Sequence, residues 1–164
     1  MRPVIAALTA LSLLPVQPVL AAQKCASNSD QVAFEVQALR SELMVLATGC
    51  HNDGEYNAFI RRFQANLQAN EKQIHAYFQH RYGRSAQTEH DRFVTELANA
   101  MSRLGTDLGT DFCPRNGQMF HEVLALTTTE QLSDYAAGKN LIPATVDVCT
   151  PMSTAAPAAR RASK

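Results

Sequence analysis

The sequence contains few of the short motifs that identify a chemical activity. No two of its four cysteines are close together, which excludes a C-x-x-C redox pair, a zinc ribbon and a C-x-x-C-H haem attachment site. No serine lies in a G-x-S-x-G elbow. A zincin-like start at His121 and Glu122 fails because Ala125 occupies the place of the second histidine. The sequence therefore assigns no catalytic, cofactor-binding or metal-ligating residue, and we expect no cofactor.

Three broader patterns are also missing. Beyond residue 22 no apolar run is long enough to span a membrane, and no useful stretch alternates with period two. The 15 Lys and Arg residues only balance the 15 Asp and Glu residues. Three of the basic residues, Arg160, Arg161 and Lys164, lie in the last five positions, which leaves a mildly acidic body. Because nucleic-acid binding needs a concentrated basic stripe, we expect no transmembrane segment, no sheet and no nucleic-acid partner.

The first residues have the pattern of a secretory signal. Arg2 gives a positive start, residues 4–14 are almost wholly apolar, and small residues ending at Ala22 suit a signal peptidase. Cys25 lies three positions past Ala22, which argues against a lipoprotein anchor. We therefore predict an exported protein, either periplasmic or secreted, that is cleaved after Ala22 or one residue earlier.

Helical periodicity dominates the rest of the chain. Asn28, Ser29 or Asp30 is expected to cap the first helix, and Gly49 suits its left-handed exit. The apolar stripe of this helix consists of Val32, Val36, Leu39, Leu43 and Leu46. A second helix is predicted to end near Gly83. Its apolar stripe consists of Tyr56, Phe59, Ile60, Phe63, Leu67, Ile74 and Phe78.

Three further helices are predicted after Gly83. The last turns of the third contain Gly105 and Gly109, which are expected to weaken them. Pro114 suits the first turn of a fourth helix, and residues 127–129 are expected to cap a short fifth helix that Gly138 stops. Because short connections make successive helices antiparallel neighbours, we predict an all-α fold: an up-down antiparallel bundle of four main helices plus a short fifth.

The four cysteines fit this bundle as two structural disulfides. Alternating helix directions bring Cys50 and Cys113 to one end of the bundle, and Cys25 and Cys149 to the other. Of the three allowed connectivities, the topology therefore favours Cys50–Cys113 and Cys25–Cys149. The predicted organisation is a signal peptide over residues 1–22, a disulfide-bonded bundle over 23–150 and a disordered Ala/Pro/Ser-rich basic tail over 151–164.

Several segments resemble a group of small uncharacterised exported proteins of α-proteobacteria. The similar segments are ALRSELMVLATGC, YNAFIRRFQ and RFVTELANAMS, followed by Phe112-Cys113, and they span roughly residues 32–113. The resemblance implies export and an all-helical fold. It implies no activity and no site residue.

A cationic corner is predicted between the second and third helices. If its side chains are exposed together, their charge rises as the pH falls through the histidine range near 6.5. Such a patch would suit an acidic partner, a phosphate-bearing lipid or a cell-wall polymer, although a hydrated turn also explains it. The interaction patch consists of His75, His80, Arg81, Arg84, His90 and Arg92.

Weaker arrangements have an ordinary structural explanation. Glu71 and His75 are one helical turn apart and supply half of a metal site, yet a solvated helix face accounts for both. Met44, Met101 and Met119 fall on or beside core stripes, which favours gap filling over copper binding.

We expect an exported, non-catalytic accessory or binding protein whose partner is an envelope protein or polymer. Two alternatives stay open. A periplasmic helical chaperone is suggested by TTTEQ at residues 127–131, which is close to an L-T-x-x-Q motif. A metal-binding or enzymatic bundle would use interior residues such as Glu35, Glu71, His75 and His121. Polar side chains buried together at mid-helix would favour that second alternative.

Overall fold

A computed structural model describes residues 26–142, and this part of the chain is helical with no β-strand. Two single 3-10 turns lie at Gly83–Ser85 and Gly109–Asp111. The helices are α1 (Asn28–Cys50), α2 (Asp53–Arg62), α3 (Gln64–Tyr82), α4 (Ala86–Leu108), α5 (Phe112–Asn116), α6 (Gln118–Ala125) and α7 (Thr129–Lys139). The predicted all-α class is therefore confirmed. The signal peptide, Cys25, Cys149 and the tail lie outside the described residues.

Helix α1 is the central element of the fold. It packs against α2, α3, α4, α5 and α7, and every residue from 33 to 39 is buried. The predicted single stripe was therefore too narrow. Val32 is 39% exposed, whereas Phe34 is fully buried although it lies off the stripe. A helix surrounded by neighbours buries all of its faces, so one amphipathic period no longer describes it.

The ends of α1 differ in detail from the sequence prediction. Ser27 is the N-cap, and its side chain forms a reciprocal capping box with Asp30. At the other end His51, with φ of 60°, adopts the left-handed conformation expected of Gly49, which lies within the last turn of α1. The prediction of Gly49 as the exit residue was therefore wrong by two positions.

The predicted second helix is divided at Phe63 into α2 and α3. Phe63 leaves the helical region, with φ of −106° and ψ of 18°. The backbone ladder nevertheless continues, because the Phe63 amide donates to the Phe59 carbonyl and the Leu67 amide donates to the Phe63 carbonyl. The division is therefore a bend in a continuous helical path. Helix α3 ends at Gly83, as predicted, with φ of 55°.

The later helices also follow the prediction in part. Helix α4 continues through Gly105 and ends at Gly109, where φ is 54°. Pro114 lies in a short helix, α5, and α6 starts separately after Gly117, so the predicted fourth helix is two. Thr128 caps α7 as expected, but the helix passes Gly138 and ends at Asn140.

Two hydrophobic clusters hold the helices together. The first joins α1, α2, α5, α6 and α7 around fully buried residues such as Leu43, Phe59 and Phe120. The second joins α1, α3 and α4 around Phe34, whose ring lies edge-on to Phe78 at 6.0 Å and to Phe93 at 5.1 Å. These contacts fix α1 between the two groups of helices.

A disulfide joins the C-terminal end of α1 to α5. Cys50 and Cys113 are bonded across a Cα–Cα distance of 5.6 Å, so this predicted pairing is confirmed. None of the helices in residues 26–142 has the length and apolar character needed to cross a membrane.

Candidate binding groove

A groove of about 530 Å³ lies between the first four helices. Helix α1 forms its floor, α2 and α3 form one wall, and α4 contributes its far edge. The bend at Phe63 sets α2 and α3 at an angle to each other, and residues from both helices reach the groove. The lining residues are Gln37, Arg40, Ser41, Met44, Tyr56, Ile60, Gln64, Leu67, Gln68, Glu71, His90 and Val94.

The floor of the groove is polar although it belongs to the buried central helix. Gln37 and Ser41 are one turn apart on α1, and both are buried. Ser41 is only 5% exposed, and its hydroxyl oxygen has no hydrogen-bond partner. An unpaired buried polar group destabilises a fold by about 1–3 kcal/mol. The Ser41 side chain lines the groove, but its hydroxyl oxygen is covered by the surrounding atoms.

Charged side chains cross-link the edge of the groove. The Arg40 guanidinium lies 3.6 Å from one Glu71 carboxylate oxygen, and His90 Nε2 lies 3.1 Å from the other. His90 Nδ1 lies 3.6 Å from Asp91. Both ring nitrogens of His90 are buried and lack hydrogen-bond geometry, so these contacts are electrostatic only. Glu71 thus connects α1 to α4 and offsets the charge of Arg40.

The remaining walls are apolar and adaptable. Tyr56 and Ile60 of α2 face the groove together with Leu67 of α3 and Val94 of α4. Met44 of α1 is 40% exposed. Its predicted role as a core gap-filler was therefore wrong, whereas Met101 and Met119 are buried as expected. A flexible thioether at the mouth of a groove adjusts to differently shaped ligands.

A second recess of about 430 Å³ continues the groove along α3. It shares Gln68 and Glu71 with the groove and adds Lys72, His75 and Ala76. The predicted neighbours Glu71 and His75 therefore lie in one recess. Within residues 26–142, however, no group of three or more His, Cys, Asp or Glu side chains is arranged to hold a metal ion.

The structure distributes the predicted cationic corner over several environments. His90 is mostly buried at the groove edge, against Glu71 and edge-on to the Phe78 ring at 5.6 Å. Arg92 pairs with Glu89, and His75 lines the second recess. The binding role of the six-residue interaction patch stays a prediction.

Three members of the corner lie closer to the end of α3. Arg81 donates from Nε to the Tyr82 hydroxyl at 3.2 Å, and its guanidinium lies 5.6 Å from the centre of that ring. Burial acts to raise the pKa of Asp30, but the hydrogen bonds from Ser27 and Gln73, with a smaller contribution from the nearby charge of His80, lower it below its ordinary value. Arg84 is exposed in the 3-10 turn. These cations therefore flank the helix corner, whereas His90 is turned inward.

The four residues suggested for an interior active site also occupy different environments. Glu35 is buried and accepts a hydrogen bond from Gln31 at 3.1 Å, while Glu71 lies at the groove edge. His75 and His121 are exposed, on α3 and α6.

A buried acid that sequence reasoning missed joins α1 to α7. Glu42 is 3% exposed, one of its carboxyl oxygens has no hydrogen-bond partner, and burial raises its pKa to about 7, opposed by the nearby charge of Lys139. The signal was present, because Glu42 stands three residues after Leu39 and four before Leu46, on the same helical face.

Close by, Glu122 accepts hydrogen bonds from the Tyr135 hydroxyl at 2.5 Å and from Lys139 Nζ at 3.1 Å. These bonds lower the pKa of Glu122, and burial together with the Glu122 bond raises the pKa of Tyr135. The polar contacts therefore hold α6 to α7, next to the carboxyl of Glu42.

Comparison of the chain with family models, with curated proteins and with solved structures gives no match. The case for a function therefore depends on the groove and its chemistry.

Proposed function

We propose that this chain is an exported, non-catalytic binding protein of the cell envelope and that its ligand occupies the groove between α1, α2, α3 and α4. The observation that carries this proposal is the pair of buried polar side chains, Gln37 and Ser41, on the floor of the groove. Around it, amide and apolar side chains converge on a cavity of ligand-binding size, since such sites have volumes of about 300–1,000 Å³.

The sequence supports export through the predicted signal over residues 1–22. We also propose a second disulfide between Cys25 and Cys149. Ala26 and Ile142 both pack against the cluster around Phe34, so the described chain begins and ends beside one cluster. Seven residues lead from Ile142 to Cys149, and an extended chain of that length spans roughly 23 Å.

The up-down course of the helices belongs to the same proposal. Phe34, near the start of α1, contacts Phe78 near the end of α3 and Phe93 near the start of α4. The disulfide joins the other end of α1 to the segment after α4. Both observations support alternating helix directions.

A binding role accounts for the arrangement better than the two alternatives. In the chaperone-like segment, Thr128 and Gln131 form the capping box of α7, which gives that sequence a structural role. Buried polar groups do occur on α1, as the enzymatic alternative requires. The most perturbed of them, Glu42, is 3% exposed and is covered by α7, so a substrate in the groove does not meet it.

Site-specific photo-crosslinking in the native host tests this proposal. A benzophenone amino acid at Gln64, on the exposed wall of the groove, is expected to capture a ligand in the envelope. The same amino acid at Arg103, an exposed position of α4 that does not line the groove, serves as the matched control. A groove adduct that is absent from the control supports binding. Equal labelling at the two positions, or none, contradicts it.

A further inference from the structure

We propose that the groove and the recess beside it bind an extended, uncharged stretch of polypeptide that carries apolar side chains. This inference rests on the proposed binding function and names its ligand class. It rests on the combined length of the groove and the second recess, on the spacing of the side-chain amides of Gln64 and Gln68, and on the chemistry of the groove lining.

The groove and the second recess together have the length of a short extended peptide. Along α3 their combined lining runs from Gln64 to Ala76, and the two cavities share Gln68 and Glu71. Twelve residues of α-helix correspond to a length of about 18 Å. An extended chain advances about 3.3 Å per residue, so about five or six peptide residues fit along this face.

Two glutamines on α3 match the repeat of an extended backbone. Gln64 and Gln68 are one helical turn apart, which separates them by about 6 Å along the axis. In an extended peptide, groups on the same edge recur every two residues, at about 6.6 Å. A glutamine amide both donates and accepts, as a peptide group does, so each side chain can pair with one backbone unit. Gln37 and Ser41 make the floor polar, although both side chains are buried.

The apolar lining suits the side chains of such a peptide. Successive residues of an extended chain point to opposite sides, so every second side chain faces the same side of the groove. Tyr56 and Ile60 on the α2 wall and Met44 at the mouth offer apolar surface to such side chains, and Met44 is flexible and 40% exposed. The pattern favours a ligand with apolar residues at alternate positions.

The charges of the groove favour an uncharged backbone over a polyanion. Arg40 is offset by Glu71, and the mostly buried His90 ring faces the same carboxylate. A ligand with repeated phosphates would find no unpaired cation on the groove floor, since Gln37 and Ser41 are neutral, and the cationic Lys72 and His75 line only the adjoining recess.

Affinity selection on the full exported chain tests this ligand class. The probe is an equimolar library of acetylated and amidated heptapeptides, with glycan strands freed of stem peptides as a parallel arm. We expect peptides with alternating apolar residues to be enriched. For a selected peptide, N-methylation of the backbone amides that face the glutamines should weaken binding about five-fold or more, because each methyl group removes a donor. A control peptide with its N-methyl groups moved by one residue, onto amides that face away from the glutamines, should bind within about two-fold of the unmethylated peptide.

A pair of variants ties this recognition to the groove. Gln68→Leu should lower the affinity of the protein for the selected peptide by about three- to five-fold. Gln118→Leu, an exposed glutamine on α6 outside the groove, should not change its affinity. The N-methyl series uses the unaltered protein, so it decides the matter even if Gln68→Leu folds poorly.

Each outcome separates this inference from the binding function. Enrichment of the glycan arm, or equal effects of the two N-methyl registers, overturns the peptide assignment. A specific groove adduct in the crosslinking experiment would then still support binding. Failure of the crosslinking experiment together with an empty selection overturns both proposals.

Discussion

Replacing Glu42 by glutamine should change how the stability of this protein depends on pH. Glu42 is almost fully buried beneath α7, and one of its carboxyl oxygens has no hydrogen-bond partner. Burial raises its pKa from an ordinary 4.5 to about 7. At about 1.36 kcal/mol for each pH unit, the difference between the ionised and neutral acid is about 3 kcal/mol of folding free energy. This is an upper value, because the ionised carboxylate can turn toward Lys139.

The sign follows from proton binding. Between about pH 4.5 and pH 7 the folded protein holds a proton on Glu42 that the unfolded chain has already released. The Glu42 contribution to stability is therefore fully present below this range and is lost as the pH rises through it. Glutamine keeps the shape of the neutral acid and does not titrate. We expect Glu42→Gln to match the parent protein near pH 4 and to exceed its stability by up to about 3 kcal/mol near pH 8.

Urea denaturation followed by the helical circular dichroism signal measures this difference at several pH values. Asp134→Asn makes the same chemical change at an exposed position of α7, and it should shift the unfolding free energy by no more than about 0.5 kcal/mol. If the parent and Glu42→Gln curves run parallel from pH 4 to pH 8, the pKa of Glu42 is the same in the folded and unfolded states, and the reasoning from its burial is wrong.

Two further stability predictions follow from the packing of α1. Replacing Cys50 and Cys113 by alanine opens a loop of 63 residues. In the chain-entropy model this change should lower the unfolding free energy by about 4 kcal/mol. A loss below about 1 kcal/mol in urea titrations would contradict a stabilising role for the disulfide. Phe34→Ala should lower it by about 3–5 kcal/mol, because the fully buried ring contacts two helices. Val32→Ala, at a largely exposed position two residues away, should have an effect within about 0.5 kcal/mol, and equal losses would refute the assigned burial.

Much of the fold could be predicted from local patterns. The all-helical class follows from apolar spacing, and the ends near Gly83 and Thr128 follow from backbone conformation and capping chemistry, which depend on a few neighbouring residues. The Cys50–Cys113 bond, which was predicted on the assumption of alternating helix directions, is confirmed. The bend at Phe63 was missed because its backbone hydrogen bonds continue and no proline or glycine marks it.

The groove could not be predicted in the same way. Its floor belongs to α1, its walls to α2 and α3, and its edge to α4, so no local stretch of sequence contains it. His90 was expected on an exposed corner, yet the packing of α4 places it beside Glu71. Whether a polar residue such as Ser41 faces solvent, a cavity or the core depends on what packs against it.

The sequence by itself determined that this part of the chain is helical and where several helices begin or end, because capping and apolar periodicity act over a few residues. Only the tertiary structure decided that α1 lies in the centre, with Glu42 buried beside α7 and Ser41 on the floor of the groove. These two side chains are neighbours in the chain, but successive helical residues point about 100° apart, so each meets different neighbours. That difference in surroundings raises the pKa of one of them and places the other on the lining of the groove.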